Sequence, residues 1–178
     1  DDSYDVAIVD EERFEFCAGW TKLKARLKQS FPDDTEAIDK YYQLVHKATV
    51  LFPLLIGLKL LPEPLFLLCM RILPVGILNK TTKEVLQSIT TNRKLQGVLT
   101  YHYGDYGEPP ERGAFAMNAL IASHYRSGAY YPKGGPLVIA ERIIHVIERW
   151  GGKVMVRAPV SSILIDEKKN RAYGVVVK

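Results

Sequence analysis

The segment Tyr130–Lys178 constrains the fold more than any other part of the chain. It opens with an aromatic loop ending in Gly134-Gly135, where the missing Cβ atoms let the backbone approach a ligand or another segment closely. Apolar residues then recur at helical spacing up to a second glycine pair, Gly151-Gly152, and predict one amphipathic helix. Three short alternating runs follow at 153–157, 160–165 and 173–177. They predict strands, the last two forming a hairpin, which is typical of α/β proteins.

The first third of the chain alternates in a similar way before it becomes helical. Residues 4–9 and 13–17 predict a hairpin that turns at 10–12. Helical spacing then predicts helices over 20–28 and 36–47, separated by the proline turn at 31–34.

The region 48–78 is the most apolar, with only three charged residues, Lys59, Glu63 and Arg71. Four prolines predict that no single helix runs through it, and the longest uncharged run is shorter than the roughly 20 residues that a membrane span needs. Three interpretations stay open: ordinary core helices, a buried helical hairpin that lines an apolar cavity, or a segment that dips into one leaflet of a membrane.

Capping signals organise the region after residue 80. Thr81 and Glu84 form a capping box that predicts a short helix, and Asn92 predicts the start of the next. Glycines and prolines predict a loop at 104–107, followed by a helix over 113–127. The expected inward stripe of that helix is Met117, Leu120, Ile121, His124 and Tyr125.

Composition excludes several classes of protein. With 47% hydrophobic and 25% charged residues, the 178-residue chain is typical of folded protein. Its net charge of +4 comes from basic residues interleaved with acidic ones, so we expect no nucleic-acid binding, while a mildly basic surface suits anionic lipid. The four histidines lack metal-ligand spacing, so we expect no metal site. Cys17 and Cys69 are far apart in apolar surroundings, which favours reduced thiols.

Particular sequence runs resemble a known family of flavoenzymes. The runs YPKGG at 131–135, GGKV at 151–154 and APVSSI at 158–163 resemble the part of amine-oxidase-like and phytoene-desaturase-like enzymes that returns from the substrate domain to the FAD domain. Upstream, GDYGEPP at 104–110 and FAM at 115–117 are similar to members that convert retinoids and carotenoids. The resemblance covers roughly residues 22–178.

The resemblance implies a mixed α/β (α+β) fold that is part of a two-domain FAD-dependent oxidoreductase. Residues 1–130 would form a substrate-binding region that includes the apolar helical segment 48–78, and residues 131–178 would be the returning edge of the FAD-binding domain. The family's N-terminal Gly-x-Gly-x-x-Gly unit, which holds the FAD pyrophosphate on a helix N-terminus, is missing from this sequence. We therefore expect an internal fragment of a longer enzyme.

The resemblance also implies candidate site residues, though no catalytic residue. Val160 matches the position whose backbone pairs with the adenine of FAD, and Gly134 and Gly135 match a loop close to the flavin or its substrate. Tyr131, Tyr103 and His102 are candidates for contact with the substrate. Each of these residues also has a purely structural interpretation, as strand core, turn or aromatic packing.

The implied activity is saturation of one double bond of a retinol-like polyene, with hydride supplied by reduced flavin and NAD or NADP as the candidate electron donor. The expected location is the endoplasmic reticulum membrane, with peripheral or monotopic attachment to its surface. Two alternatives remain: a carotenoid isomerase or desaturase, and a non-catalytic module that binds lipid or a partner. For this chain alone, we expect no tightly bound FAD.

Overall fold

The computed structural model describes residues 3–178, and the chain divides into two units, unit 1 at Asp1–Ala129 and unit 2 at Tyr130–Lys178. The fold mixes helices with two small antiparallel sheets, which confirms the mixed helix-and-sheet class. The regular elements of unit 1 are β1 (Ser3–Val9), β2 (Glu12–Cys17), α1 (Trp20–Ser30), α2 (Thr35–Leu58), α3 (Glu63–Ile72), α4 (Thr82–Gln87), α5 (Arg93–Leu99), α6 (Tyr103–Tyr106) and α7 (Phe115–His124). Those of unit 2 are α8 (Leu137–Arg149), β3 (Val160–Asp166) and β4 (Arg171–Val177).

The predicted N-terminal hairpin is confirmed. β1 and β2 pair antiparallel, and the two turn residues Asp10 and Glu11 both have positive φ, at 50° and 66°. This two-residue geometry matches the right-handed twist of the strands. One face of the hairpin contributes Ala7, Phe14 and Phe16 to the core of unit 1.

The two predicted helices after the hairpin also form, but α2 is longer than expected. It continues past residue 47 to Leu58 and contains Pro53, so this proline does not end the helix. The prediction that no single helix runs through 48–78 is confirmed, because α2 ends at Leu58 and α3 begins at Glu63. A proline inside a helix removes one backbone hydrogen bond, and its ring clashes with the carbonyl four residues earlier. The helix continues because Ala48 and Leu51 remain buried on its inner face, where they offset the lost bond.

Both predicted caps are confirmed. Thr81 accepts a hydrogen bond from the Glu84 backbone N–H, and Glu84 accepts one in return from the Thr81 N–H. Asn92 caps α5 through the Leu95 N–H. A further link joins this region to the start of α2, because Asp34 accepts hydrogen bonds from Thr90, at 2.6 Å, and from Asn92, at 2.7 Å.

The predicted inward face of the α7 region is wrong. The buried residues are Phe115, Ala116, Asn118 and Ala119, whereas Met117 and His124 are exposed. α7 packs against α2, and alanines at this face let the two backbones approach closely. The positions of the bulky residues therefore did not identify the buried face of this helix.

The predicted loop at 104–107 is instead a single helical turn, α6, that ends at Gly107 with φ of 74°. The left-handed conformation at Gly107 closes the helix in the usual way for a glycine cap. Asp105 and Tyr106 therefore lie on a helical turn.

In unit 2, the helix and the hairpin form as predicted, but the strand expected at 153–157 does not. Residues 153–157 pair with no strand among the described residues, and Arg157 adopts a φ of 54°, which interrupts an extended run. No residue of unit 2 is buried. The unit therefore has no hydrophobic core of its own.

Tyr41 forms the central polar contact of unit 1, and it yields a test of the fold. Its hydroxyl donates to the Leu99 carbonyl at 3.1 Å and accepts from the Asn118 amide at 2.9 Å, with all three residues buried. We expect Tyr41→Phe to lower the free energy of unfolding by about 1–3 kcal/mol, because it leaves a buried donor and a buried acceptor without partners. Urea titration followed by circular dichroism measures this change.

The matched control is Tyr103→Phe, since the Tyr103 side chain is exposed. That substitution should change the unfolding free energy by less than about 0.5 kcal/mol. Equal urea midpoints for the Tyr41 variant and the unmodified protein would contradict the importance of this contact.

Candidate functional site

The glycine loop before α8 is the best-defined candidate in unit 2. Gly134 and Gly135 both have positive φ, at 93° and 88°. A Cβ at Gly134 would lie 2.9 Å from the Val138 side chain, so this position requires glycine both for its conformation and for its close approach to α8. The Gly135 N–H donates to the Pro132 carbonyl at 2.9 Å, which closes the loop as a turn.

Tyr131 precedes these glycines and is 75% exposed. Its ring is therefore available for contact with a ligand or another protein segment. Val160 opens β3, is 55% exposed, and is paired in register with Val177 of β4. β4 is the only neighbour of β3 among the described residues, so one edge of β3 is unpaired there.

The other two candidates lie in unit 1, at the start of α6. Tyr103 is 47% exposed, whereas His102 is only 8% exposed. The six candidates are thus divided, with Val160, Gly134, Gly135 and Tyr131 in unit 2 and the remaining two in unit 1. Their roles in binding stay predictions.

Aromatic rings surround His102. Its imidazole stacks on Tyr125 at 4.6 Å with an interplanar angle of 9°, and it contacts Tyr101 at 3.8 Å and Phe16 at 5.6 Å between ring centroids. Tyr4 extends the group by stacking on Tyr125 at 5.5 Å. The adjoining cavity is about 10 Å³, about the smallest volume that holds one water molecule.

The contribution of Tyr4 to this cluster gave no signal in the sequence. Tyr4 lies nearly 100 residues before His102, and only the packing of the N-terminal hairpin against the helices of unit 1 brings them together. Alternation identifies Tyr4 as a strand residue, but it does not identify the ring against which it stacks.

Burial keeps the ionisable members of this cluster neutral at pH 7. Burial lowers the pKa of His102 from its ordinary 6.5 to about 4, although Asp105 and Asp5 partly offset the effect. Burial likewise raises the pKa of Tyr4 to about 12 and raises that of Tyr101, whose hydroxyl donates to Asp5 at 3.2 Å. At pH 7 the cluster therefore contains a neutral imidazole and protonated tyrosines.

The apolar region 48–78 presents many of its large side chains to solvent. Of the three interpretations, ordinary core helices fit least, because α3 contains no buried residue. Exposed aliphatic side chains follow the end of α2, the turn and α3: Val50, Leu54, Ile56, Leu60, Leu65, Leu67, Leu68 and Ile72. We call these residues and the backbone that carries them the apolar hairpin.

Two features are absent from residues 3–178. No cluster of three or more His, Cys, Asp or Glu side chains is arranged to hold a metal ion in this part of the chain. None of the helices described there has the length and apolar character required to cross a bilayer.

Comparison with known proteins identifies relatives over most of the chain. No protein-family model matches it. It is 36% identical to the all-trans-retinol 13,14-reductase of Danio rerio over 174 aligned residues. The aligned region covers 92% of this chain and 28% of the relative. It is 40% identical over 162 residues to the human protein of the same name, covering 85% of this chain and 26% of the relative.

A third relative, named inactive all-trans-retinol 13,14-reductase, also comes from Danio rerio and is 36% identical over 90% of this chain and 27% of its own length. A weaker match, 27% identical over 53% of this chain and 19% of the relative, is a 4,4′-diapophytoene desaturase of Staphylococcus haemolyticus. This chain therefore spans little more than a quarter of the length of the reductases that it matches.

These similarities confirm the predicted resemblance: the chain belongs to the family of retinoid and carotenoid oxidoreductases. Within that family, the relatives that match most of the length of this chain are named all-trans-retinol 13,14-reductase.

The low pKa of His102 predicts how stability depends on pH. Between pH 6.5 and pH 4 the unfolded chain binds a proton at this residue and the folded chain does not, so the unfolding free energy falls as the pH falls through this range. The His102 contribution to this loss should be about 3 kcal/mol. Unfolding in urea at a series of pH values measures it.

The variant His102→Phe should remove this part of the pH dependence, whereas His124→Phe, at an exposed position, should keep it. If the two variants show the same slope of stability against pH, His102 is not buried as described.

Proposed function

We propose that this chain forms the central part, comprising the substrate-binding region and the returning edge of the cofactor domain, of a flavin-dependent oxidoreductase that saturates one double bond of a retinol-like polyene. The observation that carries the proposal is the 36–40% identity to all-trans-retinol 13,14-reductases over 85–98% of the chain. The relative named inactive has the same level of identity. The activity of the native polypeptide is therefore the decisive measurement.

Unit 2 has surfaces that fit the proposed FAD contacts. Gly134 and Gly135 present bare backbone in a turn that a side chain would strain, and β3 has an unpaired edge among the described residues. Val160 on β3 would meet the adenine through its backbone, and the glycines would lie close to the flavin or its substrate. When bound, the flavin would supply the hydride for the reaction.

The residues of this chain would then bind and orient the polyene and exclude water. Saturation adds a hydride to one carbon of the double bond and a proton to the other, so a strong nucleophile is not required. The exposed Tyr131 ring has the flat apolar surface that suits a polyene. Tyr103, which is 47% exposed, provides further aromatic surface in unit 1.

Tyr131 provides a test that keeps the cofactor in place. In the native polypeptide that contains this chain, Tyr131→Leu should raise the KM for all-trans-retinol about fivefold, because one aromatic contact is worth about 1 kcal/mol. Flavin content should not change. Steady-state kinetics with chromatographic detection of the saturated product, and with NADH and NADPH as trial donors, measure the effect.

The neighbouring Tyr130→Leu is the matched control, since it removes a similar ring at an even more exposed position. Its KM should stay within about twofold of the unmodified enzyme. Equal effects of the two substitutions would argue against a specific role for Tyr131.

We further propose that the apolar hairpin binds the surface of the endoplasmic reticulum membrane, which fits a substrate dissolved in lipid. The hairpin exposes eight large aliphatic side chains, and Leu60 at its turn is 88% exposed. Lys59 and Arg71 lie among these residues in the sequence and suit the headgroups of anionic lipids. A surface of this kind in contact with water alone would be costly.

Vesicle flotation tests the membrane proposal. Leu67→Glu and Leu68→Glu should each lower the fraction bound to vesicles of phosphatidylserine and phosphatidylcholine at least about tenfold, because burying one leucine is worth about 1.5–3 kcal/mol. The matched control Ile8→Glu changes another exposed aliphatic residue, on β1, and should bind like the unmodified chain. Undiminished flotation of both leucine variants would place the lipid contact elsewhere.

Two observations favour specific alternatives. The weaker similarity to a diapophytoene desaturase favours a reaction that removes hydrogen or isomerises a carotenoid, and identification of the product separates that reaction from saturation. The relative named inactive favours a non-catalytic lipid-binding role. In that case the native polypeptide would float with vesicles yet carry no flavin and convert no polyene.

A further inference from the structure

A polar groove of about 410 Å³ lies in unit 1 between α4, α5 and the turn that leads to Gly113. None of the candidate residues discussed above lines it. Six of its lining side chains are polar or charged: Lys83, Gln87, Arg93, Gln96, Thr100 and Glu111. Its volume falls in the range of small-molecule sites, about 300–1,000 Å³.

The walls of the groove are held firmly by backbone contacts. The Lys83 N–H donates to the Pro110 carbonyl at 2.8 Å, and the Thr82 N–H donates to the Gly113 carbonyl at 2.9 Å, so the turn is tied to α4. The caps at Thr81 and Asn92 fix the starts of α4 and α5. The polar side chains are therefore presented from a preformed frame.

Several hydrogen-bond donors in the groove have no partner in the described part of the chain. The Arg93 guanidinium forms no ion pair or hydrogen bond there, and neither does the Gln87 carboxamide. The Gln96 amide, by contrast, already donates to the Thr90 carbonyl at 2.7 Å. Arg93 and Gln87 can thus donate to a ligand without losing a contact.

Lys83 and Glu111 form the one ion pair across the groove among the described residues, at 3.4 Å. Both side chains are about half exposed, so water screens the pair and it adds little to stability. Hydrogen bonds from its own backbone N–H and from Lys83 lower the pKa of Glu111, which keeps this carboxylate ionised at pH 7. An anion entering the groove would compete with Glu111 for Lys83.

We propose that this groove binds the phosphate monoester group of a small soluble molecule about the size of a mononucleotide. Arg93 would meet two phosphate oxygens with its planar fork, Lys83 would leave Glu111 to supply a second positive charge, and Gln87 would donate a further hydrogen bond. The groove shares no lining residue with the candidate polyene and flavin contacts, and the proposal does not depend on them.

Isothermal titration of the full chain with four probes tests the proposal: inorganic phosphate, adenosine 5′-monophosphate, glycerol 3-phosphate and adenosine. Adenosine 5′-monophosphate should bind with a Kd of about 1 mM or below, and adenosine should not bind measurably. Glycerol 3-phosphate represents a lipid headgroup. If it binds more tightly than the nucleotide, the proposed nucleotide-sized ligand is wrong and a phospholipid becomes the natural source of the phosphate.

Two substitutions in the groove should change the affinity for the nucleotide in opposite directions. Arg93→Gln should weaken nucleotide binding at least about tenfold, whereas Glu111→Gln should strengthen it about threefold because it removes the competing carboxylate. Arg112→Gln is the control for loss of charge alone. Arg112 lies next to Glu111 in the sequence, pairs with Glu108 and does not line the groove. Its substitution should therefore change the nucleotide Kd by less than about twofold.

Circular dichroism confirms that each variant is folded. The proposal is overturned if no phosphate probe binds at about 10 mM, if adenosine binds as well as its monophosphate, or if folded Arg93→Gln binds like the unmodified chain.

Discussion

The buried hydroxyl of Tyr41 joins the three helices on which unit 1 depends. It lies on α2, donates to the last residue of α5 and accepts from Asn118 on α7, so a single side chain sets the positions of three backbones. Because burial strongly disfavours the phenolate, it raises the pKa of Tyr41 and keeps this donor protonated. The segment that follows α5 carries His102 and Tyr103, and its placement therefore depends on this contact. The apolar cluster around His102 and the polar groove beside α5 both rest on the same frame.

Unit 2, unlike unit 1, has no buried contact that holds its elements together. Its secondary structure is regular, but none of its residues is buried. An isolated two-stranded hairpin is at best marginally stable in water, and an amphipathic helix needs a partner for its apolar face. This supports the proposal that the segment acts within a larger folded body.

Local signals predicted local structure well. The Thr81 capping box, the Asn92 cap and the turn between β1 and β2 all depend on neighbours within a few residues, and all three were found. The predictions failed where contacts between residues far apart in the sequence determine the structure. Pro53 stays in α2 because Ala48 and Leu51, earlier in the helix, are buried against the core of unit 1. α7 buries alanines because α2 packs closely against them. The same limit applies to the site: the sequence indicated His102, but not the Tyr4 ring that extends its cluster or the groove at Arg93.

Anaerobic mixing tests the central claim most directly. The native polypeptide that contains this chain would be purified, its flavin bleached by reduction without oxygen, and all-trans-retinol added while the visible absorbance and the products are followed. The account predicts that the flavin absorbance returns at a rate that rises with retinol concentration and that a product with one saturated double bond forms in equal amount. A polypeptide without flavin, or a reduced flavin that retinol fails to reoxidise, would contradict it.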